Sequence, residues 1–194
     1  QELIVRLPAL IEMVLLALTL ACAIALPLGV LAATRPGSWI DQLCRLVTTA
    51  GVSLPTFFTG LVLAYVFYFL LGWAPSPLGR LDPIYSPPPH VTGLYLVDAL
   101  LVGDTALWWA AFKQLILPAC TMALFVIAPL ARITRASMIE VLRQDFVRTA
   151  QAKGLPRWLV VGKHAFMNVM IPVVTVIGIV FSLLLSGSVV IETV

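Results

Sequence analysis

The polar chemistry of this chain is concentrated in residues 137–172, which lie between two apolar stretches. Five of the twelve lysines and arginines fall between Arg143 and Lys163. Within this segment the sequence RTAQAKG sets small and basic residues at helical spacing and ends in glycine. We interpret the segment as a cytoplasmic helical loop that another protein binds.

Local signals predict two helices in this loop. Ser137 followed by Glu140 matches a capping box, so a helix is expected to start there. Asp145 is expected to cap a second helix over 146–153, with its carboxylate near the positive helix end. Gly154 is expected to end that helix in a left-handed conformation, because it has no Cβ to clash.

One face of the second helix is small or apolar and has basic edges, because Phe146, Thr149, Ala150 and Lys153 recur at helical spacing. The local physics alone favours two interpretations equally. The loop is either a docking element for a partner or an ordinary positively charged loop that only sets membrane topology.

Catalytic and cofactor signatures are missing from the sequence. It contains no P-loop, HExxH, GxSxG or nucleotide-binding fingerprint. His90 and His164 have no clustered metal-binding neighbours, and Cys22, Cys44 and Cys120 are scattered. We therefore predict no catalytic residue, no metal and no bound cofactor. The clustered positive charge favours membrane orientation over nucleic-acid binding.

The composition predicts an integral membrane protein. About 61% of residues are hydrophobic and 11% are charged, whereas soluble domains average about 45–50% and about 25%. The fold class expected is all-α and polytopic, with one transmembrane domain over residues 1–194. Apolar runs of sufficient length predict four spans: 8–33, 46–72, 114–131 and 168–191.

Several residues within the spans carry further expectations. Pro27 predicts a kink in the first span, and the sequence Ser53-Leu54-Pro55 predicts a break in the second. Arg132 and Arg135 are expected to act as a stop signal after the third span, and Pro172 to lie in the first turn of the fourth. Glu12 is expected to be a carboxylate at headgroup level rather than an ion site.

The distribution of charge predicts the orientation of the connecting segments. The segment 135–165 and the first connection are rich in lysine and arginine, so both are expected in the cytoplasm. The proline-rich segment 73–113 is expected outside the cell. Within it, residues 94–102 are predicted to form a short helix lying on the membrane.

The span centres carry no charge, which argues against a proton- or ion-coupled transporter and against a channel with a charged ring. A membrane protein with no energy source of its own and a shaped cytoplasmic loop suggests that a docked motor supplies the energy.

The segment RTAQAKG resembles the EAA loop of ABC-importer permeases. The wider run RASMIEVLRQDFVRTAQAKGLPRWLVVGKHAFMNVMIPVVT is similar to the dipeptide, oligopeptide and nickel permease subfamily, as are RLPALIEMVLLA, PLGVLAATRPGSWID and SLPTFFTGLVLAYVFYFLLGW. One departure is that Arg148-Thr149-Ala150 stands where the general pattern has Glu-Ala-Ala.

The resemblance implies a type I (MetI-like) permease core on a bacterial inner (plasma) membrane. It also implies a second homologous permease subunit, two cytoplasmic ATPases that bind ATP and Mg²⁺, and an extracytoplasmic solute-binding protein. The family usually has a span before this region and another after it, so the chain is expected to be a fragment lacking both. The residues expected to couple to an ATPase are Phe146, Arg148, Thr149, Ala150, Ala152, Lys153 and Gly154.

The function that the resemblance implies is ATP-driven import of dipeptides or oligopeptides by a subunit that is not itself an enzyme. Two alternatives stay open at this level. One is a membrane scaffold that docks a cytoplasmic partner without transport. The other is the same type of transporter carrying nickel chelates or glutathione.

Overall fold

A computed structural model describes residues 2–53, 55–76, 79–81, 84–89 and 91–192, and every structural statement below concerns these residues. Helices account for most of them, and no β-strand occurs in the part described. The helices are α1 (Glu2–Thr34), α2 (Trp39–Ser53), α3 (Thr56–Leu63), α4 (Tyr95–Val102), α5 (Thr105–Val141), α6 (Asp145–Ala152), α7 (Arg157–Leu159) and α8 (Phe166–Glu192). Two π-helical segments, Ala64–Leu70 and Val160–Ala165, continue α3 and α7.

Three described helical stretches are long and apolar enough to cross a bilayer: Leu7–Thr34, Thr105–Val141 and Arg157–Ser186. The stretches Trp39–Gly51 and Thr56–Leu70 give a fourth if they are counted as one broken span. The chain is therefore a membrane-embedded all-α protein.

The break in the second predicted span coincides with the end of α2 at Ser53 and the start of α3 at Thr56. Pro55 precedes α3 in an extended conformation, with φ −60° and ψ 136°. A proline has no N–H to donate and disfavours helical geometry in the residue before it, which explains the interruption. Pro27 acts differently, because α1 continues through it to Thr34.

Two expectations about helix ends are wrong. α5 runs without interruption to Val141, so no helix starts at Ser137. A capping pattern acts only at the end of a helix, and it has no effect where α5 already continues. Pro172 lies inside α8 rather than in its first turn.

The described chain divides into two compact units. Unit 1 comprises Gln1–Leu20, Leu54–Ala123 and Leu183–Val194, and unit 2 comprises Ala21–Ser53 and Leu124–Ser182. Unit 2 contains a core of Ala33, Met138, Ala165, Val169 and Val173, all buried. This core joins the end of α1 to the C-terminal part of α5 and the start of α8.

Glycines permit close helix crossings within unit 2. A Cβ on Gly29 would lie 2.7 Å from Thr134 Cβ, and a Cβ on Gly51 would lie 2.9 Å from Ala128 Cβ. Real Cβ atoms do not approach this closely, so α1 and α2 can pack on α5 only because these positions are glycine.

Candidate functional site

The predicted docking helix is α6, which occupies Asp145–Ala152 in unit 2. Gln144 is its N-cap in an extended conformation, and no side chain bonds there. The expectation that Asp145 caps the helix is therefore wrong, because Asp145 is its first residue. Its carboxylate still lies near the positive helix end, which is favourable. The ion pair with Arg148 spans 3.7 Å between exposed groups and contributes little.

The C-terminus of α6 ends in the backbone arrangement of a Schellman motif. Gly154 has φ +77°, which confirms the predicted left-handed glycine. Its N–H donates to the Gln151 carbonyl at 2.9 Å, and the Leu155 N–H donates to the Ala150 carbonyl at 3.3 Å. These bonds satisfy carbonyls that a helix end would otherwise leave unpaired, so the helix stops sharply.

α6 is amphipathic, with one buried and one exposed face. Val147 and Ala150 pack with Val160, and Leu142 and Leu155 lie against this small core. Leu155 follows the glycine that ends α6, so the motif that stops the helix also holds it against the chain. The core fixes α6 to the end of α5 and to the start of the helical run that leads into α8.

The seven residues predicted to couple to a partner divide between the two faces. Six of them are exposed: Phe146, Arg148, Thr149, Ala152, Lys153 and Gly154. Ala150 is buried, with 5% of its surface accessible. Ala150 is therefore a packing residue of this chain, and it is not available to enter a groove on a partner.

The loop is also bonded to the end of α1. Arg157 Nη2 donates to the Thr34 carbonyl at 3.0 Å. Thr34 is the last residue of α1, so the guanidinium satisfies an end carbonyl and lies at the negative pole of that helix. A cavity of about 430 Å³ lies beside this bond. It is lined by Ala33, Thr34, Leu142, Gln151, Leu155, Arg157, Val160 and Val161. The sequence alone indicates only that Arg157 is one of the positive charges of this loop.

A buried carboxylate links the start of α2 to α5. Asp41 is 0% exposed and accepts a hydrogen bond from Arg135 Nε. Its other oxygen accepts from Arg45 at 3.1 Å and from the Gly37 N–H at 3.0 Å. The Asp41 N–H donates to Ser38 Oγ at 3.4 Å, which is one half of a capping box; the Asp41 carboxylate accepts from the Gly37 N–H rather than from the Ser38 N–H that the other half requires. The three-residue spacing of Ser38 and Asp41 is the sequence signal that could have indicated this helix start.

A second buried carboxylate organises unit 1. Glu12, 6% exposed, accepts from the Leu96 N–H at 2.6 Å and the Tyr95 N–H at 3.2 Å. Arg80 Nη2 pairs with it at 3.1 Å and also donates to the Gly93 carbonyl. The Arg80 guanidinium lies 3.8 Å from the centre of the Tyr95 ring. Glu12 therefore caps α4, a role that the sequence did not predict, and its expected position at headgroup level stays a prediction.

Asp98 closes the turn that precedes α4. It accepts from the Thr92 hydroxyl at 2.6 Å, the Thr92 N–H at 2.8 Å and the Gly93 N–H at 2.9 Å. Burial by itself raises the pKa of Asp98, but these hydrogen bonds stabilise the carboxylate and bring its pKa below the ordinary value. The charged form is therefore the one that this turn is built to hold.

The residues that the structure describes contain no group of three or more potential metal ligands. His90 lies outside the described residues. The three cysteines are free thiols.

The fold and the exposed helix α6 together define the class of protein. It is a membrane-embedded helical protein with a short amphipathic helix displayed outside its spans. Residues 25–194 match the family described as binding-protein-dependent transport system inner membrane component. The chain belongs to this family, which confirms the resemblance identified from its motifs.

Curated relatives cover the whole chain. It is 43% identical over 194 residues to the probable D,D-dipeptide transport system permease protein DdpB of Escherichia coli (strain K12), and 43% identical over 193 residues to the di/tripeptide transport system permease protein DppB of Pseudomonas aeruginosa (strain UCBPP-PA14). Each alignment covers 100% of this chain and 57% of the relative. The dipeptide transport system permease protein DppB of Alkalihalophilus pseudofirmus is 39% identical over 97% of this chain and 56% of its own length. The chain thus spans just over half the length of these relatives.

Proposed function

We propose that this chain is a membrane-spanning part of the permease subunit of an ATP-driven ABC importer that carries dipeptides or oligopeptides across the bacterial inner membrane. The family membership supports transport by a binding-protein-dependent system. The names of the three relatives favour peptides over nickel chelates or glutathione as the solute. No observation favours the scaffold alternative.

The observation that carries the mechanism is that α6 is exposed on one face and anchored on the other. Phe146 is 43% exposed although it is a large apolar residue. Together with Arg148 and Lys153 it forms a surface suited to a groove with an apolar floor and acidic rims. The proposed occupant of this surface is a cytoplasmic ATPase, with a second ATPase on the partner permease.

The anchored face supplies the path by which a push would move the spans. Val147 and Ala150 pack against Val160 and the end of α5, and Arg157 holds the end of α1. A displacement of α6 by ATP-driven closure of the ATPases would be delivered to three helices at once. The spans would then alternate between outward and inward access for peptide that an extracytoplasmic binding protein delivers. In this scheme the ATPases bind ATP and Mg²⁺ and do the hydrolysis, and this chain performs no catalysis.

Gly154→Val tests the mechanism in the assembled transporter. A Cβ at Gly154 would meet nothing within 4 Å, so the variant acts through the backbone and not through a clash. A left-handed conformation costs an L-residue about 1–2 kcal/mol, so the end of α6 should shift and solute uptake should fall by about tenfold.

Two variants serve as controls. Gly154→Asn should retain most uptake, because asparagine tolerates the left-handed conformation. Gly162→Ala should be close to wild type, because Gly162 has open space around it and is not among the glycines with positive φ. Wild-type uptake and ATPase activity in a properly inserted Gly154→Val protein would refute the coupling role.

Crosslinking tests the partner directly. With Cys22, Cys44 and Cys120 replaced, Ala152→Cys should crosslink to the ATPase, because position 152 is exposed. Ala150→Cys is the matched control two residues away on the buried face and should not. A crosslink from position 152 that reaches only non-ATPase proteins would count against the proposal.

A further inference from the structure

α4 presents an apolar face that nothing in the described chain covers. Val97, Leu100 and Leu101 are 39%, 63% and 63% exposed, and they recur at helical spacing. The single charged residue of this helix, Asp98, is 1% exposed and bonds to the preceding turn. The exposed face of α4 therefore carries no charge.

This face is an ordered surface, because both ends of α4 are held. The Glu12 carboxylate accepts the N–H groups of Tyr95 and Leu96 at the first turn. At the other end Gly103 has φ +75°, and the Asp104 N–H donates to the Ala99 carbonyl at 3.1 Å. An isolated helix of eight residues would not persist in water, so these bonds stabilise it.

The position of α4 along the chain places it beside the membrane surface. α4 ends at Val102, and α5, which is long and apolar enough to cross a bilayer, begins at Thr105. The first turns of α5 carry Trp108 and Trp109, stacked with ring centres 6.2 Å apart. Lys113 Nζ lies 5.5 Å from the centre of the Trp109 ring. Tryptophan and lysine together are typical of the boundary between hydrocarbon and headgroups.

We propose that α4 is an interfacial lipid-binding helix, which inserts Val97, Leu100 and Leu101 among the acyl chains beneath the headgroups at the Thr105 end of α5. The two-residue link to α5 keeps α4 at the level of the tryptophans, and its uncharged face suits hydrocarbon. A surface that binds a soluble protein typically has polar groups around an apolar centre, unlike this face of α4.

The lipid contact would have a consequence for the proline-rich segment. Arg80 bonds both Glu12 and the Gly93 carbonyl, next to the start of α4. A helix embedded in the interface would thereby hold the Arg80 guanidinium close to the headgroups, whereas Ser86 is exposed. Lipid binding by α4 requires neither the peptide solute nor the ATPase, so it can be tested independently of transport.

The experiment uses the full-length protein in its complete complex, reconstituted in vesicles of phosphatidylethanolamine and phosphatidylglycerol. In a background with the three native cysteines replaced, Leu101→Cys is labelled with the fluorophore NBD. Quenching by a lipid with a nitroxide near its headgroup is compared with quenching by aqueous iodide. Ser86→Cys, on an exposed residue of the proline-rich segment, is the control on the same side.

If α4 binds lipid, NBD at position 101 should show blue-shifted emission and stronger quenching by the nitroxide lipid than by iodide. NBD at position 86 should be quenched more strongly by iodide than by the nitroxide lipid. Quenching by iodide alone at position 101 would show a face open to water and overturn the proposal. Protection from both quenchers would show that a protein covers the face, which overturns it equally. Leu100→Cys repeats the measurement on the same face if labelling at 101 disturbs folding.

Discussion

Unit 1 and unit 2 each contain a buried carboxylate from the first 41 residues that bonds distant parts of the chain, but the groups they hold differ. Glu12 in unit 1 accepts backbone N–H groups at the start of α4 and pairs with Arg80. Asp41 in unit 2 pairs with the side chains of Arg135 and Arg45. One carboxylate caps a helix, and the other ties two helices together.

The difference extends to what each unit leaves exposed. In unit 1 the exposed face of α4 is uncharged, as expected for contact with lipid. In unit 2 the exposed face of α6 mixes Phe146 with Arg148 and Lys153, as expected for contact with a protein. Each unit thus holds a short helix by its buried face and leaves the other face exposed, and the two exposed faces differ in chemistry.

Removal of the unit 2 carboxylate should have the largest effect. Asp41→Ala leaves Arg135, which is only 22% exposed, without its partner. We expect a loss of about 2–3 kcal/mol in the free energy of unfolding, seen as a lower melting temperature in detergent. Arg45→Ala is the control, because the Arg45 side chain is 66% exposed and its loss should cost about 0.5 kcal/mol. Equal losses in the two variants would contradict the assignment of Arg135 as the principal partner.

Neighbouring residues of α6 should separate stability from partner binding. Val147→Ala removes two methyl groups from a fully buried position and should lower the free energy of unfolding by about 2 kcal/mol. Phe146→Ala should leave the melting temperature nearly unchanged and weaken co-purification of the ATPase. The comparison fails if Phe146→Ala destabilises the isolated subunit as much as Val147→Ala does.

Loss of the unit 1 carboxylate should have a smaller and more local effect. Glu12→Ala removes the acceptor of two N–H groups at the start of α4, at a cost of about 1–2 kcal/mol. Hydrogen exchange should accelerate at Tyr95 and Leu96, while exchange in α6 stays as in the wild type. Unchanged exchange at α4 would show that Glu12 does not hold it.

The smallest expected effect is a dependence on pH at the turn before α4. The folded pKa of Asp98 lies below its ordinary value, so its stabilisation is complete above the unfolded pKa of about 4. It is lost as the pH falls through the lowered folded pKa. Amide exchange at Thr92 and Gly93, corrected for the intrinsic rate, should rise in that acidic range. Asp98→Asn should exchange faster at neutral pH and show no such transition; a transition retained in that variant would assign it to another group.

Much of the fold followed from the sequence, because membrane burial demands long apolar runs and because proline and glycine act locally. The break at Pro55 and the left-handed end of α6 at Gly154 required only nearest-neighbour chemistry. The family also followed, because RTAQAKG and its surroundings are distinctive. The helix start predicted at Ser137 is wrong because a capping pattern reflects only local sequence, whereas α5 continues through that position.

The sequence by itself determined that the chain is membrane-embedded, that it is helical and that residues 146–154 form a displayed element, since these properties depend on composition and short spacing. Only the tertiary structure decided which side of α6 faces outward, turning Ala150 inward and leaving Phe146 exposed. Only the tertiary structure paired Glu12 with Arg80 and Asp41 with Arg135, across 68 and 94 residues of chain. Such pairs depend on where separate helices meet, and that is set by the packing of many side chains at once.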